Sequence, residues 1–344
     1  MDGVLTRHGE SWAAFPREVV LGVNGIESVI FEVNRKEGLI RPFALQVGLA
    51  AVQLERLIIT LTICLVILLK GTLSGLPASW GLGGLALMGV IFLQLAMNIL
   101  NDVEDYIRLI DLPGSSRGSR ALKRGWLSAK ELKKVGYLAF GMSAFCALPV
   151  LFNGSLSLIL IAGVAAIGAL SYSNPPFEIK YRSFGDLFLF VLVGPLLTMG
   201  LSQAVFGQFD MSVLLFGFYF GFASWGISHV SNIYDMDRDR KNKMQTLACD
   251  LGFEDSKHFL LALYGCAFAT LWIGVALGSL SPFVAVISQT AGFWVIPFIR
   301  RVYQASGPAS ALLVPIRIQA EKILLVMGFW LCMTLSVEWV LHKL

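Results

Sequence analysis

Nine stretches of this chain are apolar over roughly 20 residues each, the length needed to cross about 30 Å of hydrocarbon. They lie near 46–70, 80–101, 133–152, 156–173, 184–205, 212–231, 258–278, 281–299 and 320–341. Inside a bilayer each backbone N–H and C=O must find its partner within the protein, so continuous apolar runs of this length are expected to be helices. Of the 344 residues, 56% are hydrophobic and 15% are charged, against about 25% charged in a soluble domain. The mean hydropathy is +0.71. The expected fold is therefore an all-α polytopic membrane protein with nine transmembrane helices, and its first partner is the lipid bilayer. A net charge of +4 gives no basis for a nucleic-acid partner.

Charge bias orients the bundle. With the N-terminus on the cytoplasmic side, the tail and the even-numbered loops carry 22 of the 27 Lys and Arg residues, and the opposite side carries only Lys70 and Lys343. That is the positive-inside pattern, and an extra or missing helix in the middle would scramble it. Residues 1–44 lack the charged region, apolar run and small-residue cleavage site of a secretory signal. They are expected to form a cytoplasmic segment, and 45–344 the membrane domain. Within the segment, two β-branched runs flank Asn24-Gly25 over residues 18–31, the signature of a β-hairpin. The short connections Phe152-Asn153-Gly154-Ser155 and Ser279-Leu280 predict two tight helical hairpins. Five scattered cysteines without CxxC spacing argue against a disulfide framework or structural zinc.

Two loops on the cytoplasmic side, 102–132 and 232–256, are long, and each follows a span that ends in acids and amides. They stand four helices apart, which suggests two four-helix halves plus a ninth helix. In the first cluster Asn98, Asn101, Asp102 and Asp105 are spaced i, i+3, i+4 and i+7 and share one helical face. In the second, Ser228, Ser231 or Asn232, Asp235 and Asp239 form a stripe, with Asp237 pointing elsewhere. Carboxylates crowded at a membrane boundary are costly unless used. Mg²⁺ relieves the repulsion, taking one or two carboxylates and completing its shell with water and phosphate oxygens. Two such clusters facing each other would clamp a diphosphate and stabilise departing pyrophosphate. A transporter would instead place its acids and broken helices at the midplane, whereas both clusters fall at one edge.

In this arrangement the chain resembles the UbiA superfamily of intramembrane prenyltransferases, over residues 45–341. Asn101, Asp102 and Asp105 fit that family's NDxxDxxxD motif, and Asp235 and Asp239 its DxxxD motif. Arg120-Ala121-Leu122-Lys123-Arg124-Gly125 is similar to an RPLxxG turn, with Ala121 in place of proline. Tyr172-Ser173-Asn174-Pro175-Pro176-Phe177 and Tyr181-Arg182-Ser183-Phe184-Gly185-Asp186 resemble the YTxxP…YxxLGE/D loop. One departure is Leu109, where the last acid of the first motif would fall; the acid stands at Asp111 instead. With Asn98 upstream, that spacing is closer to the branch that prenylates 1,4-dihydroxy-2-naphthoate for menaquinone. Lys243-Met244-Gln245-Thr246-Leu247-Ala248 resembles the stretch after the second motif, and Met-Gln-Thr-Leu is also similar to the chlorophyll-synthase branch.

The resemblance implies that Asn101, Asp102, Asp105, Asp235 and Asp239 hold two Mg²⁺ ions bridging a polyprenyl diphosphate. Arg120, Lys243 and Lys180 would neutralise its remaining oxygens, and Asn98 and Asn232 are further substrate-binding candidates. An aromatic acceptor would attack the allylic cation, with Asp111 orienting or deprotonating its hydroxyl. Tyr172 and Tyr181 are candidates for diphosphate contact or for facing the cation with their rings; the alternative is an interfacial tyrosine belt. His229 is a candidate acceptor contact, with a hydrogen-bonded packing histidine as the alternative. Glu55 and Arg56 are expected to form an interhelical pair.

Overall fold

In the computed structural model, residues 3–7, 10–21, 27–35, 43–52, 56–108, 110, 118–123, 126–242 and 244–344 are described. Three strands, β1 (Gly3–Arg7), β2 (Glu10–Leu21) and β3 (Glu27–Arg35), form an antiparallel sheet in the order β1-β2-β3. β2 pairs with β3 from Trp12↔Arg35 to Leu21↔Glu27. The turn between them, 22–26, lies outside the described residues, as do Glu55, Leu109, Asp111 and Lys243. The register shifts between Pro16 and Glu18. Proline has no N–H to give the ladder and is tolerated at such a bulge. The sheet adds β1 and a longer β2 to the hairpin expected over 18–31.

Among the described residues, every regular element after the sheet is helical. The helices are α1 (Ala44–Val52), α2 (Leu57–Leu73), α3 (Trp80–Ile107), α4 (Arg120–Lys123), α5 (Ala129–Phe152), α6 (Leu156–Ser171), α7 (Gly185–Val191), α8 (Leu197–Phe206), α9 (Met211–Lys241), α10 (Leu247–Leu251), α11 (Phe253–Ala276), α12 (Pro282–Gln289), α13 (Gly292–Gln304) and α14 (Ile316–Lys343). Among the described residues six helices are long and apolar enough to cross a membrane, or seven if the bent pair α12–α13 is one span. α2 and α6 are shorter apolar helices.

Two expected spans differ in the structure. Within the window 46–70 the described residues form α1 up to Val52 and α2 from Leu57, and Arg56, just before α2, meets an acid. The window 281–299 is bent by 41° between α12 and α13. Across that bend the backbone bonds shorten to i→i+3 form, as in Thr290 N–H to Ile287 O and Ala291 N–H to Ser288 O. The Thr290 hydroxyl also donates to Ile287 O at 2.6 Å. The turn 152–155 is tight as expected: Ser155 caps α6, its Oγ accepting from Leu158 N–H at 3.3 Å.

The chain divides into two compact units. One comprises Met1–Leu57, Val90–Ala144 and Ser173–Pro176; the other comprises Ile58–Gly89, Phe145–Tyr172 and Phe177–Leu344. In the first, Ala51, Ile99, Val103, Tyr106, Ala121, Leu122, Ala129 and Leu132 form a buried core. At 100° per residue, Ile99, Val103 and Tyr106 lie about a third of a turn round α3 from Asn98, Asp102 and Asp105. This packing holds α3 in rotation and so fixes where its acids lie. Gly136 of α5 sits against α3 so closely that a Cβ would come within 2.8 Å of Leu100 Cδ2.

In the second unit, α7 and α8 are joined by a π-turn, Leu192–Leu196, in which Pro195 lacks an N–H and Gly194 leaves helical geometry. Wide turns of this kind re-satisfy the backbone around a membrane proline. A Cβ on Gly194 would lie 2.5 Å from the Gly217 carbonyl oxygen and 2.8 Å from Gly221 Cα. The backbones therefore touch at a Gly-xxx-Gly step of α9, the close approach that small residues permit between membrane helices.

Candidate active site

Both acid clusters sit on the last turns of unusually long helices. α3 has 28 residues and α9 has 31, about 42 and 46 Å at 1.5 Å per residue. Each exceeds about 30 Å of hydrocarbon, so each carries its apolar window and then continues as a polar helical end. Both motifs are thus helical throughout the described residues, and the expected spans 80–101 and 212–231 stop short of where these helices end.

On α3, Asn98, Asp102 and Asp105 are buried and Asn101 is half-buried. Asn101 Nδ2 donates to Asp105 Oδ2 at 3.4 Å, and Gln94 Nε2 to Asn98 Oδ1 at 3.4 Å. Arg56 Nη1 lies 3.4 Å from Asp102 Oδ1. Arg56 thus has an interhelical partner in Asp102, an acid of the first motif, while Glu55 lies outside the described residues. Among the described residues Asn98 Nδ2 and Asn101 Oδ1 are buried without a hydrogen-bond partner, and buried polar atoms of that kind call for a ligand, ion or water. Behind this face Glu104 is held by Lys133 Nζ at 2.7 Å.

On α9, Asp235 and Asp239 are buried, while Asp237 is exposed. Arg238 Nη2 lies 3.2 Å from Asp235 Oδ1, and its Nε 3.9 Å from Asp239 Oδ1. One turn earlier, Asn232 donates to both oxygens of Asp186, at 3.1 and 3.0 Å. His229 is wholly buried, with Nε2 at 3.2 Å from the Ser256 carbonyl and its ring edge-on to Phe259. These contacts suit the packing alternative for His229.

The loop 172–185 is folded back on itself and onto α10. Tyr172 is buried and its carbonyl accepts from Lys180 N–H at 2.7 Å. Residues Ile179–Tyr181 form one 3₁₀ turn, with Lys180 Nζ 5.5 Å above the Tyr181 ring. Gln245 N–H donates to Tyr181 O at 3.2 Å, and the Ser183 hydroxyl bonds the Asp250 carboxylate. Gly185 is required there, since a Cβ would lie 2.8 Å from Ile179 O. The structure thus brings Tyr172, Lys180 and Tyr181 into one loop. Arg120 opens α4 and is exposed, while the next two residues, Ala121 and Leu122, enter the buried core.

Arg56, Glu104, Lys133, Asp186 and Arg238 escaped the sequence reading as parts of the site. Arg238 alone had a local signal, its i,i+3 spacing from Asp235. Among the described residues no three His, Cys, Asp or Glu side chains form a metal-binding group. Paired carboxylates flanked by amides nevertheless fit Mg²⁺, which needs only one or two protein carboxylates when a phosphate supplies the rest.

A profile of the UbiA prenyltransferase family matches residues 56–320. The 1,4-dihydroxy-2-naphthoate octaprenyltransferase of Bacillus subtilis is 26% identical over 204 residues, 58% of this chain and 65% of that protein. The UbiA prenyltransferase domain-containing protein 1 of Xenopus tropicalis is 27% identical over 168 residues, 48% of each. The matches thus span less than two thirds of these relatives' length. An apo UbiA homologue from Aeropyrum pernix shares the fold at a TM-score of 0.63 and 18% identity, over 83% of this chain and 98% of the other. A UbiA homologue from Archaeoglobus fulgidus bound to GPP and Mg²⁺ aligns at 0.58 and 16%, over 84% and 99%. With a family profile covering most of its length, the chain belongs to the UbiA prenyltransferase family.

Proposed function

We propose that this protein transfers a polyprenyl group from a polyprenyl diphosphate to an aromatic acceptor, and that the acceptor is 1,4-dihydroxy-2-naphthoate. The observation that carries the reading is the pair of buried aspartates at the end of each long helix, Asp102 with Asp105 and Asp235 with Asp239, each pair beside an arginine. The naphthoate acceptor draws support from the Bacillus subtilis relative, a 1,4-dihydroxy-2-naphthoate octaprenyltransferase, and from the Asn98 and Asp111 spacing. Other aromatic acceptors, such as 4-hydroxybenzoate, homogentisate or a chlorophyllide, are the alternatives.

In this reading Asn101, Asp102, Asp105, Asp235 and Asp239 hold two Mg²⁺ ions. When bound, the metal supplies positive charge against a departing diphosphate. Asn98 donates its amide N–H to a phosphate oxygen, and Arg120, Lys180 and Lys243 add charge-assisted contacts to the same group. Tyr172 and Tyr181 present ring faces or hydroxyls to the reacting end, and Asp111 serves the acceptor hydroxyl. The six long spans, the bent pair α12–α13 and the shorter α2 and α6 make nine crossings, with the N-terminus and both motifs on the cytoplasmic side.

Purified protein incubated with Mg²⁺, a polyprenyl diphosphate and a panel of dihydroxynaphthoate, hydroxybenzoate, homogentisate and chlorophyllide tests this directly. Pyrophosphate release with a prenylated naphthoate product by mass spectrometry is the expected result. Failure to prenylate any acceptor, with diphosphate binding unchanged in Asp105→Ala, would overturn it.

A further inference from the structure

Asp186 is a buried carboxylate with no role in the scheme above, and two side chains of α9 grip it. Its Oδ1 accepts the Ser228 hydroxyl at 2.5 Å and Asn232 Nδ2 at 3.1 Å; its Oδ2 accepts the same amide at 3.0 Å. His229 Nδ1 stands 3.9 Å from Oδ2. The other ring nitrogen meets the Ser256 carbonyl at 3.2 Å, and because a carbonyl only accepts, that nitrogen carries the hydrogen. Asp186 opens α7, Ser228, His229 and Asn232 lie on α9, and Ser256 lies in the first turn of α11. The carboxylate thereby ties α7 to α9, and His229, the residue after Ser228, ties α9 to α11.

The position of the tie on α9 matters. Ser228, Asn232, Asp235 and Asp239 are spaced by four, three and four residues, so they form one stripe. The two residues that grip Asp186 are the upstream part of the stripe that ends in the second motif. At its other end α7 runs into the Gly194 turn, which meets α9 backbone to backbone at Gly217 and Gly221. α7 is therefore fixed against α9 at two levels, and α9 can neither slide nor rotate beneath its aspartates without breaking one of them. Side-chain ends stand about 5–6 Å from a helix axis, so a rotation of about 10° moves a carboxylate by about 1 Å. Misplacement on that scale can cost about 100-fold in rate.

We infer that Asp186 is a positioning residue for the second aspartate motif, setting the rotation of α9 through Ser228 and Asn232 so that Asp235 and Asp239 present their oxygens to the metal. This inference rests on the reading of Asp235 and Asp239 as metal ligands. It also assigns Asn232 to that clamp in place of direct substrate contact.

The test titrates Mg²⁺ in the purified protein at saturating polyprenyl diphosphate and acceptor. Asp186→Ala and the double variant Ser228→Ala/Asn232→Ala should both raise the Mg²⁺ concentration for half-maximal rate about 10–100-fold, the usual effect of removing a support behind a metal ligand. High Mg²⁺ should restore much of the rate, and the acceptor KM should stay within about twofold, a split that general loss of structure would not produce. The double variant keeps the carboxylate, so a shift there reports position rather than charge. If Asp186→Ala does not accumulate as folded protein, the isosteric Asp186→Asn takes its place. Wild-type Mg²⁺ midpoints in the Asp186 and double variants, with Asp235→Ala inactive, overturn the positioning role and leave the metal reading standing. A wild-type midpoint in Asp235→Ala overturns the metal reading itself.

Discussion

The two aspartate pairs each end a long helix, and their surroundings differ. On α3 the acids stand among amides, Asn98 and Asn101, and their cation, Arg56, comes from 46 positions earlier in the chain. On α9 the cation is local: Arg238 lies between the two acids it contacts and is attached to the same helix. The helices are also held differently. α3 is fixed by an apolar core that includes Ile99, Val103 and Tyr106, whereas α9 is fixed by polar contacts at Asp186 and by glycine close approach at Gly194. A cation on the same helix keeps its distance when the bundle shifts; a cation from another helix does so only while both are held in place. The first pair is therefore expected to depend on packing around it, and the second on its own helix and the clamp behind it.

The largest effects should fall on the acids, and they should be alike. Asp102→Ala and Asp235→Ala are each expected to lower kcat by about 100–1000-fold, the scale for removing one element of charge stabilisation from a transition state, in a pyrophosphate-release assay. A large loss from one and near-normal rate from the other would break the symmetry of the two motifs. Next come the arginines. Arg238→Gln should cost about tenfold in kcat/KM for the prenyl diphosphate and should leave thermal stability nearly unchanged. Arg56→Gln should cost a similar factor and also lower the melting point in detergent, because it removes an ion pair between residues 46 positions apart, whereas Arg238 pairs within its own helix. Equal stability in the two variants would sink the distinction between a local and a distant cation.

Glycine substitutions sharpen the contrast in packing. Gly194→Val should destabilise by about 1–3 kcal/mol or more through overpacking, because what it meets is the backbone of Gly217 and Gly221. Gly136→Ala should cost less, since the atoms it meets belong to the Leu100 and Ile99 side chains, which can shift. Thermal unfolding in detergent ranks the two. The smallest effect on rate is expected from Lys133→Ala, which leaves the Glu104 carboxylate unmatched at a cost in stability of about 1–3 kcal/mol, with little change in Mg²⁺ dependence.

Much of this was readable before the fold. Apolar periodicity marked where helices run, and i, i+3, i+4, i+7 spacing put Asn98, Asn101, Asp102 and Asp105 on one face. Ser155 and the Asn153-Gly154 turn announced the α5–α6 hairpin. β1 was missed because only its pairing with β2 makes a strand of five residues. Asp186 was quoted as part of a loop, yet its use depends on contacts 42 and 46 positions away, and helical spacing carries no such information. The close approach of Gly194 to Gly217 and Gly221 is likewise a contact between distant positions.

The central claim is that this chain uses its two aspartate pairs to prenylate an aromatic ring. The most direct measurement is Mg²⁺-dependent release of pyrophosphate from a polyprenyl diphosphate in the presence of 1,4-dihydroxy-2-naphthoate, with the product identified by mass spectrometry. The account predicts a prenylated naphthoate, formed only with Mg²⁺ and lost in both Asp102→Ala and Asp235→Ala. Product formation that persists in either variant, or no prenylated product from any aromatic acceptor, would contradict it.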